Sequence, residues 1–284
     1  MPENKNSMKK GNLLQSIIVH ALLIIGAAAF MFPLYWMVVT ALKTLPEVLQ
    51  SPPSWLPEKF LWSNFKTAMN IIPFWTYTIN TVIVCVLSVI GTVISSTLVA
   101  YAFARLQWKG REFTFKCVLA TMMIPFPVLM VPLFVLFSKI GWIGSLKPLW
   151  APTFFASAFN IFLLRQFFRT IPMELSEAAR IDGCSEFGIL IRIILPLSKP
   201  VLLVVALFQF IYSWNDFLAP LIYLTRQETF TLSLGLQFYQ SQQGGSQWNY
   251  LMAAASLVVL PVLVLYFIAQ KYFIEGISLT GVKG

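Results

Sequence analysis

Charged and small side chains are concentrated between residues 169 and 188, the most charged stretch of the chain. Within it, acidic and basic groups border a small apolar face: Leu175, Ala178 and Ala179 form the face, and Glu174, Glu177, Arg180 and Asp182 form the border. The chemistry that these side chains offer is recognition of another protein, because a helix that lies on lipid has a uniformly basic polar face. The composition leaves an ordinary solvated connector open as the alternative.

Catalytic and metal-binding chemistry has little support in the sequence. His20 is the only histidine, and Cys85, Cys117 and Cys184 lie far apart, without the spacing of metal-binding pairs. No Gly-x-x-x-x-Gly-Lys-Ser/Thr phosphate loop occurs. We therefore expect a chain that is not an enzyme, with no catalytic residues, no metal site and no cofactor of its own.

Local signals in the charged stretch predict two short helices joined by a sharp turn. Pro172 suits the first turn of a helix that runs from Met173 to Ile181. Gly183 is placed to end this helix in a left-handed conformation, and Ser185 is placed to cap the next one. The second helix is expected to run through Ile189, Leu190, Ile193 and Ile194, with Pro196 opening the next apolar segment.

Long apolar runs surround this stretch. Hydrophobic residues make up 58% of the 284 residues and charged residues only 11%, whereas soluble domains carry about 25% charged residues. Several charge-free runs exceed the roughly 20 residues that a helix needs to cross a membrane. These features predict an all-α, polytopic protein with one transmembrane domain over residues 1–284. We place its six spans at about 14–42, 76–104, 115–138, 149–168, 197–224 and 250–273.

Basic residues set the expected orientation of the spans. Cytoplasmic termini place fourteen Lys and Arg residues inside and six outside, in agreement with the positive-inside rule. This bias also accounts for the net charge of +9 without nucleic acid as a partner. The prediction gives outer loops at 43–75, 139–148 and 225–249 and a cytoplasmic loop at 169–196.

Prolines and turn residues refine two of these segments. Prolines and tryptophans in loop 43–75, among them Pro52, Pro53, Pro57, Pro73, Trp55 and Trp62, indicate an ordered, partly amphipathic cap. The polar tip at 240–247 is expected to be flexible. Pro125, Pro127 and Pro132 disturb the third span, because each removes a backbone donor. A kinked packing helix and a helix that lines a pathway remain equally open for that span.

Polar residues within or near the spans are candidates for a substrate pathway. They are Asn80, Asn160, Trp214, Asn215 and Asp216. Polar groups at membrane depth face the protein interior or water, so they can contact a solute or bond neighbouring helices. Helix bonding is at least as good an explanation for Asn80 and Asn160. Aromatic, amide and carboxylate groups side by side at 214–217 suit sugar hydroxyls and the apolar faces of sugar rings, and helix bonding explains the same residues.

The cytoplasmic loop carries a signature with fixed spacing. It consists of Glu177-Ala178-Ala179, three residues, Gly183, nine residues, Ile193, one residue and Leu195-Pro196. This pattern matches the EAA signature of binding-protein-dependent ABC importer permeases without a departure. Over nearly its whole length the chain resembles sugar-importer permeases similar to the smaller maltose permease subunit. Further matching runs are Asn80-Thr81, Ala100–Arg105, Asn160–Phe168, Trp214–Phe217, Pro220-Leu221 and Leu279–Gly284.

The resemblance implies a type I ABC importer permease fold with a cytoplasmic coupling (EAA) helix that sits in a cleft of an ATPase subunit. Glu177 would then contact the ATPase, Ala178 and Ala179 would permit close packing, and Gly183 would supply the turn. The implied coupling set is completed by Asp182, Ile193, Leu195 and Pro196. A rigid connection of this kind lets ATP favour one global state through contacts that differ between states.

The implied assembly lies in a bacterial or archaeal cytoplasmic membrane, surrounded by lipid. It contains a second homologous permease, expected to be a distinct chain, two ATPase subunits that bind ATP and Mg, and an extracytoplasmic solute-binding protein. Its cargo would be a sugar or sugar-like solute (an oligosaccharide, disaccharide, glycoside or glycerol-3-phosphate), moved by alternating access. One alternative is an ion-coupled secondary transporter, which scarce intramembrane acids disfavour. Another is an ABC permease for a non-sugar solute.

Overall fold

The computed structural model describes residues 4–240 and 245–281, and these residues form helices and their connections without a strand. The predicted all-α class is confirmed. The helices are α1 (Asn4–Ala41), α2 (Leu45–Val48), α3 (Ser63–Ile71), α4 (Phe74–Arg105), α5 (Arg111–Ala120), α6 (Phe126–Lys139), α7 (Lys147–Trp150), α8 (Ala158–Thr170), α9 (Glu174–Ile181), α10 (Glu186–Ile189), α11 (Leu195–Leu197), α12 (Lys199–Asn215), α13 (Leu218–Tyr223), α14 (Leu232–Gly235) and α15 (Trp248–Gly281). Four 3₁₀ segments (Thr121–Met123, Ala151–Phe155, Gln227–Thr229 and Leu236–Tyr239) and a π-helical segment (Leu190–Ile194) lie between them.

The chain divides into two compact units. One contains the residues up to Ile72 together with Phe238–Val259, and the other contains Pro73–Gln237 and the residues from Leu260 onward. The loop at 169–196, predicted to be cytoplasmic, and all the predicted pathway residues belong to the second unit.

Three single helices are long and apolar enough to cross a membrane. They are Gln15–Ala41, Phe74–Arg105 and Trp248–Gln270. At about 1.5 Å per residue, even the shortest exceeds the roughly 30 Å of a hydrocarbon core. The predicted spans 14–42, 76–104 and 250–273 therefore exist as continuous helices.

The predicted span 115–138 is a broken helix. Arg111–Met123 and Phe126–Lys139 meet at an angle of 96°. Ile124 is extended, with φ −86° and ψ 110°, because the ring of Pro125 excludes the helical region for the residue before it. The prolines thus produce a break where the sequence suggested a kink.

A second break precedes the fifth apolar segment, which was predicted at 197–224. Glu186–Leu197 and Lys199–Asn215 meet at 82°. The apolar helix therefore begins at Lys199, two to three residues after the predicted opening at Pro196. It ends at Asn215, and α13 follows after a two-residue connection.

The predicted span 149–168 is not one helix. A short helix, Lys147–Trp150, leads into the 3₁₀ segment Ala151–Phe155, and Ala158–Thr170 follows. Ala156 has a left-handed φ of 67°, which separates the last two segments. The described part of the chain thus holds three single apolar helices and two bent pairs. A count of six spans remains a prediction.

The core of the second unit is built around α4. This helix packs against α8, α12 and the 3₁₀ segment at 151–155. Gly91 permits this approach, because a Cβ there would lie 2.5 Å from the Phe154 ring and 2.6 Å from the Thr153 hydroxyl. Buried side chains of α8, α9, α10 and α12 extend the same core.

The first unit contains the predicted cap at 43–75, of which the part up to Ile72 is ordered by buried polar bonds. The Asn64 amide donates to the carbonyls of Ala41 and Lys43, at 2.9 Å each. The buried Glu47 carboxylate accepts the backbone N–H of Glu58 at 2.9 Å. Residues 241–244 of the predicted flexible tip lie outside the described residues, as does the C-terminal end of the chain from 282.

Candidate functional site

The predicted short helix of the cytoplasmic loop is α9, Glu174–Ile181. Glu174 and Glu177 occupy its first turn and Arg180 its last, so both ends complement the helix dipole. The helix prediction from Met173 to Ile181 is confirmed to within one residue.

Gly183 ends α9 in the conformation that the sequence predicts. Its φ is +80°, and the N–H of Cys184 donates to the carbonyl of Ala179 at 2.8 Å across the turn. A Cβ at Gly183 would meet no heavy atom within 4 Å. The backbone angle, and not a lack of space, therefore requires glycine here.

Ser185 begins the second helix as predicted. Its hydroxyl accepts the N–H of Gly188 at 3.2 Å, the bond of an N-cap. After α10 the chain passes through the π-helical segment Leu190–Ile194 into α11. Ile189 and Ile194 are fully buried, so this second helix is anchored in the core.

The exposure of the α9 side chains differs from the sequence interpretation at one residue, Ala179. Glu177 and Ala178 are exposed, and Leu175 and Ile181 are exposed to 43% and 87% beside them. Ala179, which we grouped with Leu175 and Ala178 on one outward face, packs instead into the core of its own chain. A single amphipathic pattern could not show this, because neighbours distant in sequence decide which side of α9 is covered.

The remaining residues of the predicted coupling set also divide into exposed residues and residues that pack against the core. Asp182, Gly183 and Pro196 are exposed at the surface of the loop. Ile193 and Leu195 are partly buried and pack against the core of the second unit. The latter two hold the second helix in place.

Glu186 joins α9 to α4. Its carboxylate accepts hydrogen bonds from Arg180 Nε at 2.6 Å and from the buried Tyr101 hydroxyl of α4, also at 2.6 Å. Because Arg180 and Tyr101 donate to it, the pKa of the Glu186 carboxyl lies below its ordinary value, and the same bond raises the pKa of Arg180. The ionic link is therefore complete at neutral pH and is lost only as the pH falls through this lowered pKa.

Arg105 joins the other end of α9 to α4. This side chain is only 2% exposed, and its guanidinium donates to the carbonyl of Ile171 at 2.8 Å and to that of Pro172 at 3.4 Å. Both flanks of α9 are thus bonded to the last two turns of one long helix. The segment that contains α9 is therefore bonded directly to α4.

A cavity of about 580 Å³ lies beside the exposed face of α9. Glu177, Arg180 and Glu186 contribute charged groups to its lining, and Trp108 contributes an aromatic ring. Acidic, basic and apolar groups together suit a protein side chain better than a lipid headgroup.

The predicted pathway residues are mostly engaged within the protein. The Asn80 amide donates to the carbonyls of Glu228 and Phe230, at 2.8 and 3.0 Å, and the Asn215 amide donates to Ile211 one turn back. Trp214 is buried and stacks on Phe210 at 5.3 Å. Asn160 is buried, and its carbonyl oxygen has no hydrogen-bond partner among the described residues.

Asp216 lies on a cavity of about 290 Å³, which we call the Asp216 cavity. Its carboxylate accepts the N–H of Ala219 at 3.2 Å, at the start of α13. Other polar lining residues come from separate elements: Thr92 from α4, Thr153 from the 3₁₀ segment, Gln209 and Tyr212 from α12, and Tyr223 from α13. Of the five predicted pathway residues, only Asp216 lines this cavity.

Sequence analysis did not identify Tyr101 and Arg105, the two side chains of α4 that bond residues of the loop. Tyr101 and Arg105 entered only as part of a matching run, and Glu186 only as one more charge. An arginine at the end of an apolar helix is an available signal, because a charge at that depth needs partners. Tyr212 and Tyr223 carried no comparable signal in the sequence.

Residues 94–278 match the model of a protein family described as "Binding-protein-dependent transport system inner membrane component". This range includes the loop at 169–196 and the residues of the Asp216 cavity apart from Thr92.

Curated proteins of known systems are similar over most of the chain. The arabinooligosaccharides transport system permease protein of Halalkalibacterium halodurans is 38% identical, over 74% of this chain and 75% of that protein. The diacetylchitobiose uptake system permease protein of Streptomyces coelicolor is 34% identical, over 89% and 92%. The sn-glycerol-3-phosphate transport system permease protein of Pectobacterium atrosepticum is also 34% identical, over 92% and 95%.

Solved structures agree with the fold. A chain of a bacterial ABC transporter involved in the import of the acidic polysaccharide alginate superposes with a TM-score of 0.81 and 25% identity, covering 93% of this chain and 98% of that one. A chain from the alginate ABC transporter in complex with an alginate pentasaccharide-bound periplasmic protein gives a TM-score of 0.65 at 18% identity, a similarity of fold alone.

Proposed function

This chain belongs to the binding-protein-dependent transport system inner membrane components, and from that premise we infer that it is the permease subunit of an ABC importer for sugars or sugar-like solutes. The observation that carries this conclusion is the extent of the similarity, which covers about nine tenths of the chain in two sugar-related permeases. The role is translocation, and we propose that the chain itself performs no catalysis.

We propose that α9 is the coupling helix. Its exposed Glu177 and Ala178 lie on the side away from the core, which supports docking of an ATPase there. The bonds from Tyr101 and Arg105 of α4 support a rigid transmission from that docked partner into the membrane. In this proposal, Ala179, Ile193 and Leu195 stabilise the loop, and Glu177, Ala178 and Asp182 face the partner.

We propose the following assembly: this chain, a second homologous permease, two ATPases that bind ATP and Mg, and an extracytoplasmic solute-binding protein. The periplasmic protein in the structure of the alginate transporter supports the last of these partners. Six spans with both termini in the cytoplasm are part of the proposal, and the fourteen-to-six distribution of basic residues supports it.

The named solutes of the relatives fall into two charge classes. Arabinooligosaccharides and diacetylchitobiose are neutral, whereas glycerol-3-phosphate and alginate are anionic. We propose that the solute of this chain belongs to the same broad set of carbohydrates and polyols.

Uptake into proteoliposomes tests the proposed function. The complete transporter is reconstituted with its binding protein, and uptake of labelled solute is measured with ATP inside, without ATP, and with a proton or sodium gradient in place of ATP. We expect uptake with ATP alone. Uptake that an ion gradient drives without ATP would instead identify a secondary transporter.

A further inference from the structure

We propose that the Asp216 cavity holds a neutral, hydroxyl-rich part of the transported solute and that the Asp216 carboxylate keeps anionic solutes out. The inference rests on the proposed function, because it takes solute translocation as given. It selects the neutral class from the two charge classes described above.

The polar groups of the cavity suit a ligand that both donates and accepts hydrogen bonds. Thr153 and Tyr212 contribute hydroxyls, and Gln209 contributes an amide whose Nε2 donates to Ser213 at 3.0 Å. Hydroxyl groups can act as donor and acceptor, as sugar hydroxyls do. The rings of Phe126 and Phe137 add apolar surface to the lining, and a few polar groups among apolar ones are typical of ligand sites.

Tyr223 points independently to a hydroxyl-bearing ligand. The residue is only 1% exposed, and its hydroxyl has no hydrogen-bond partner among residues 4–240 and 245–281. Its ring is fixed edge-on against Phe137, with centroids 5.2 Å apart. Buried hydroxyls are normally bonded, so a solute hydroxyl in the cavity is a fitting partner for this one.

The charge of the lining has a single sign. Among the lining residues, all of which lie in the described part of the chain, Asp216 is the one charged side chain, and no Lys, Arg or His accompanies it. Its bond with Ala219 fixes the carboxylate at the start of α13. Repulsion between like charges is strong in a protein interior, so a phosphate or carboxylate is disfavoured here while a neutral hydroxyl is not.

The size of the cavity agrees with a short saccharide unit. Its volume of about 290 Å³ lies at the small end of ligand pockets, which span roughly 300–1,000 Å³. A longer chain would place one unit at a time in it.

Charged thiol reagents test the proposal directly, because their reaction with the cavity does not depend on which solute is carried. Ser157, a lining residue, is changed to cysteine in a chain whose three native cysteines are serine, and the complete transporter is placed in lipid nanodiscs. Labelling rates with a cationic and an anionic methanethiosulfonate, each corrected for reactivity with a free thiol, are compared. We expect the cationic reagent to react at least about tenfold faster, a factor that corresponds to a modest interaction energy.

Two variants distinguish the effect of the Asp216 charge on the labelling rates from the effect of other negative charges on the predicted outer face. Asp216→Asn keeps an oxygen that can accept the Ala219 N–H, and it should bring the two rates to within about twofold. Glu228→Gln removes an exposed carboxylate that does not line the cavity, and the preference should persist. Equal rates with Asp216 present would overturn the proposal.

Protection by solutes tests the neutral class. Arabinotriose, diacetylchitobiose and maltotriose at millimolar concentration serve as neutral probes, and sn-glycerol 3-phosphate serves as the anionic one. Slower labelling with at least one neutral probe and not with the anion supports the proposal; slowing by the anion, or by none of the three, overturns it. Since labelling requires no ATP, a failure here is distinct from a failure of ATP-driven uptake.

Discussion

Glu186 is the residue at which α4, α9 and α10 converge. It begins α10, accepts Arg180 from α9 and accepts the Tyr101 hydroxyl from α4. Hydrogen bonds to charged groups contribute about 1.5–3 kcal/mol. Loss of one such bond therefore weakens the connection between α9 and α4 without leaving a cavity in the core.

Tyr101→Phe tests this connection, since it removes only the hydroxyl that donates to Glu186. We expect the solute transported per ATP hydrolysed to fall by up to about tenfold, which a loss of about 1.4 kcal/mol would produce. The measurement is the ratio of uptake to phosphate release in proteoliposomes.

Tyr35→Phe is the matched control, because Tyr35 donates a bond of 2.7 Å to the carbonyl of Trp55, far from the loop in sequence. It should leave the ratio unchanged. Equal ratios for Tyr101→Phe and the native protein would remove Tyr101 from the coupling path.

Gly183 allows a second test at the scale of one residue. An alanine at φ +80° costs about 1–2 kcal/mol of local conformational energy, although space is available for its Cβ. Gly183→Ala should shift the direction of α9 and lower ATP-driven uptake several-fold. Gly141→Ala imposes the same kind of strain at φ +69° in the predicted outer turn, again without a clash. Similar uptake in the two variants would contradict a special role for the turn at Gly183.

At the scale of one element, α9 has a covered side and an exposed side. Ala178 and Ala179 are adjacent in sequence, yet only Ala179 packs into the core. Bulk added at these two positions should therefore produce different failures.

Ala178→Leu should leave the thermal stability of the subunit unchanged and reduce the amount of ATPase that co-purifies with it, because the added methyl groups obstruct close docking. Ala179→Leu should lower the thermal stability, since overpacking a core costs about 1–3 kcal/mol. Thermal unfolding in detergent and co-purification measure the two effects. Normal ATPase recovery with Ala178→Leu would show that the partner does not approach this face.

The helices of the loop could be predicted from sequence because adjacent residues determine them. Gly183 and Ser185 act on their own backbone within three residues, and the predicted turn and cap form beside them. Pro172, predicted in the first turn, instead lies just before the N-cap Met173, and the helix begins at Glu174. The burial of Ala179 depends on distant parts of the chain and was not predictable from local pattern. The same is true of the Asp216 cavity, whose lining comes from six helical elements and the connections between them.

Broken helices show a further limit of sequence reasoning. Pro125 was recognised as a disturbance, but the pattern could not distinguish a kink from a 96° bend. The segment at 149–168 has the composition of a span but consists of three short helical segments. Apolar composition predicts where a chain can lie in a membrane more reliably than how many continuous helices it forms.

At the scale of the whole molecule, most of the apolar helix Gln15–Ala41 is exposed in the part of the chain that the structure describes, and its end at Val39–Ala41 is buried. None of its most apolar window is buried, in contrast to 39% for Phe74–Arg105. An exposed apolar helix of this length agrees with a protein that lies in a membrane.

Charge reversal at Glu177 tests the central claim most directly, because this exposed side chain is proposed to face the ATPase. Glu177→Lys is introduced into the complete transporter, with Glu228→Lys, an exposed acid of the predicted outer loop, as control. Membrane insertion and ATP-driven uptake are measured for both. The account predicts normal insertion for both variants and loss of at least nine tenths of the uptake, about tenfold, for Glu177→Lys alone. Uptake by Glu177→Lys at the native rate would contradict it.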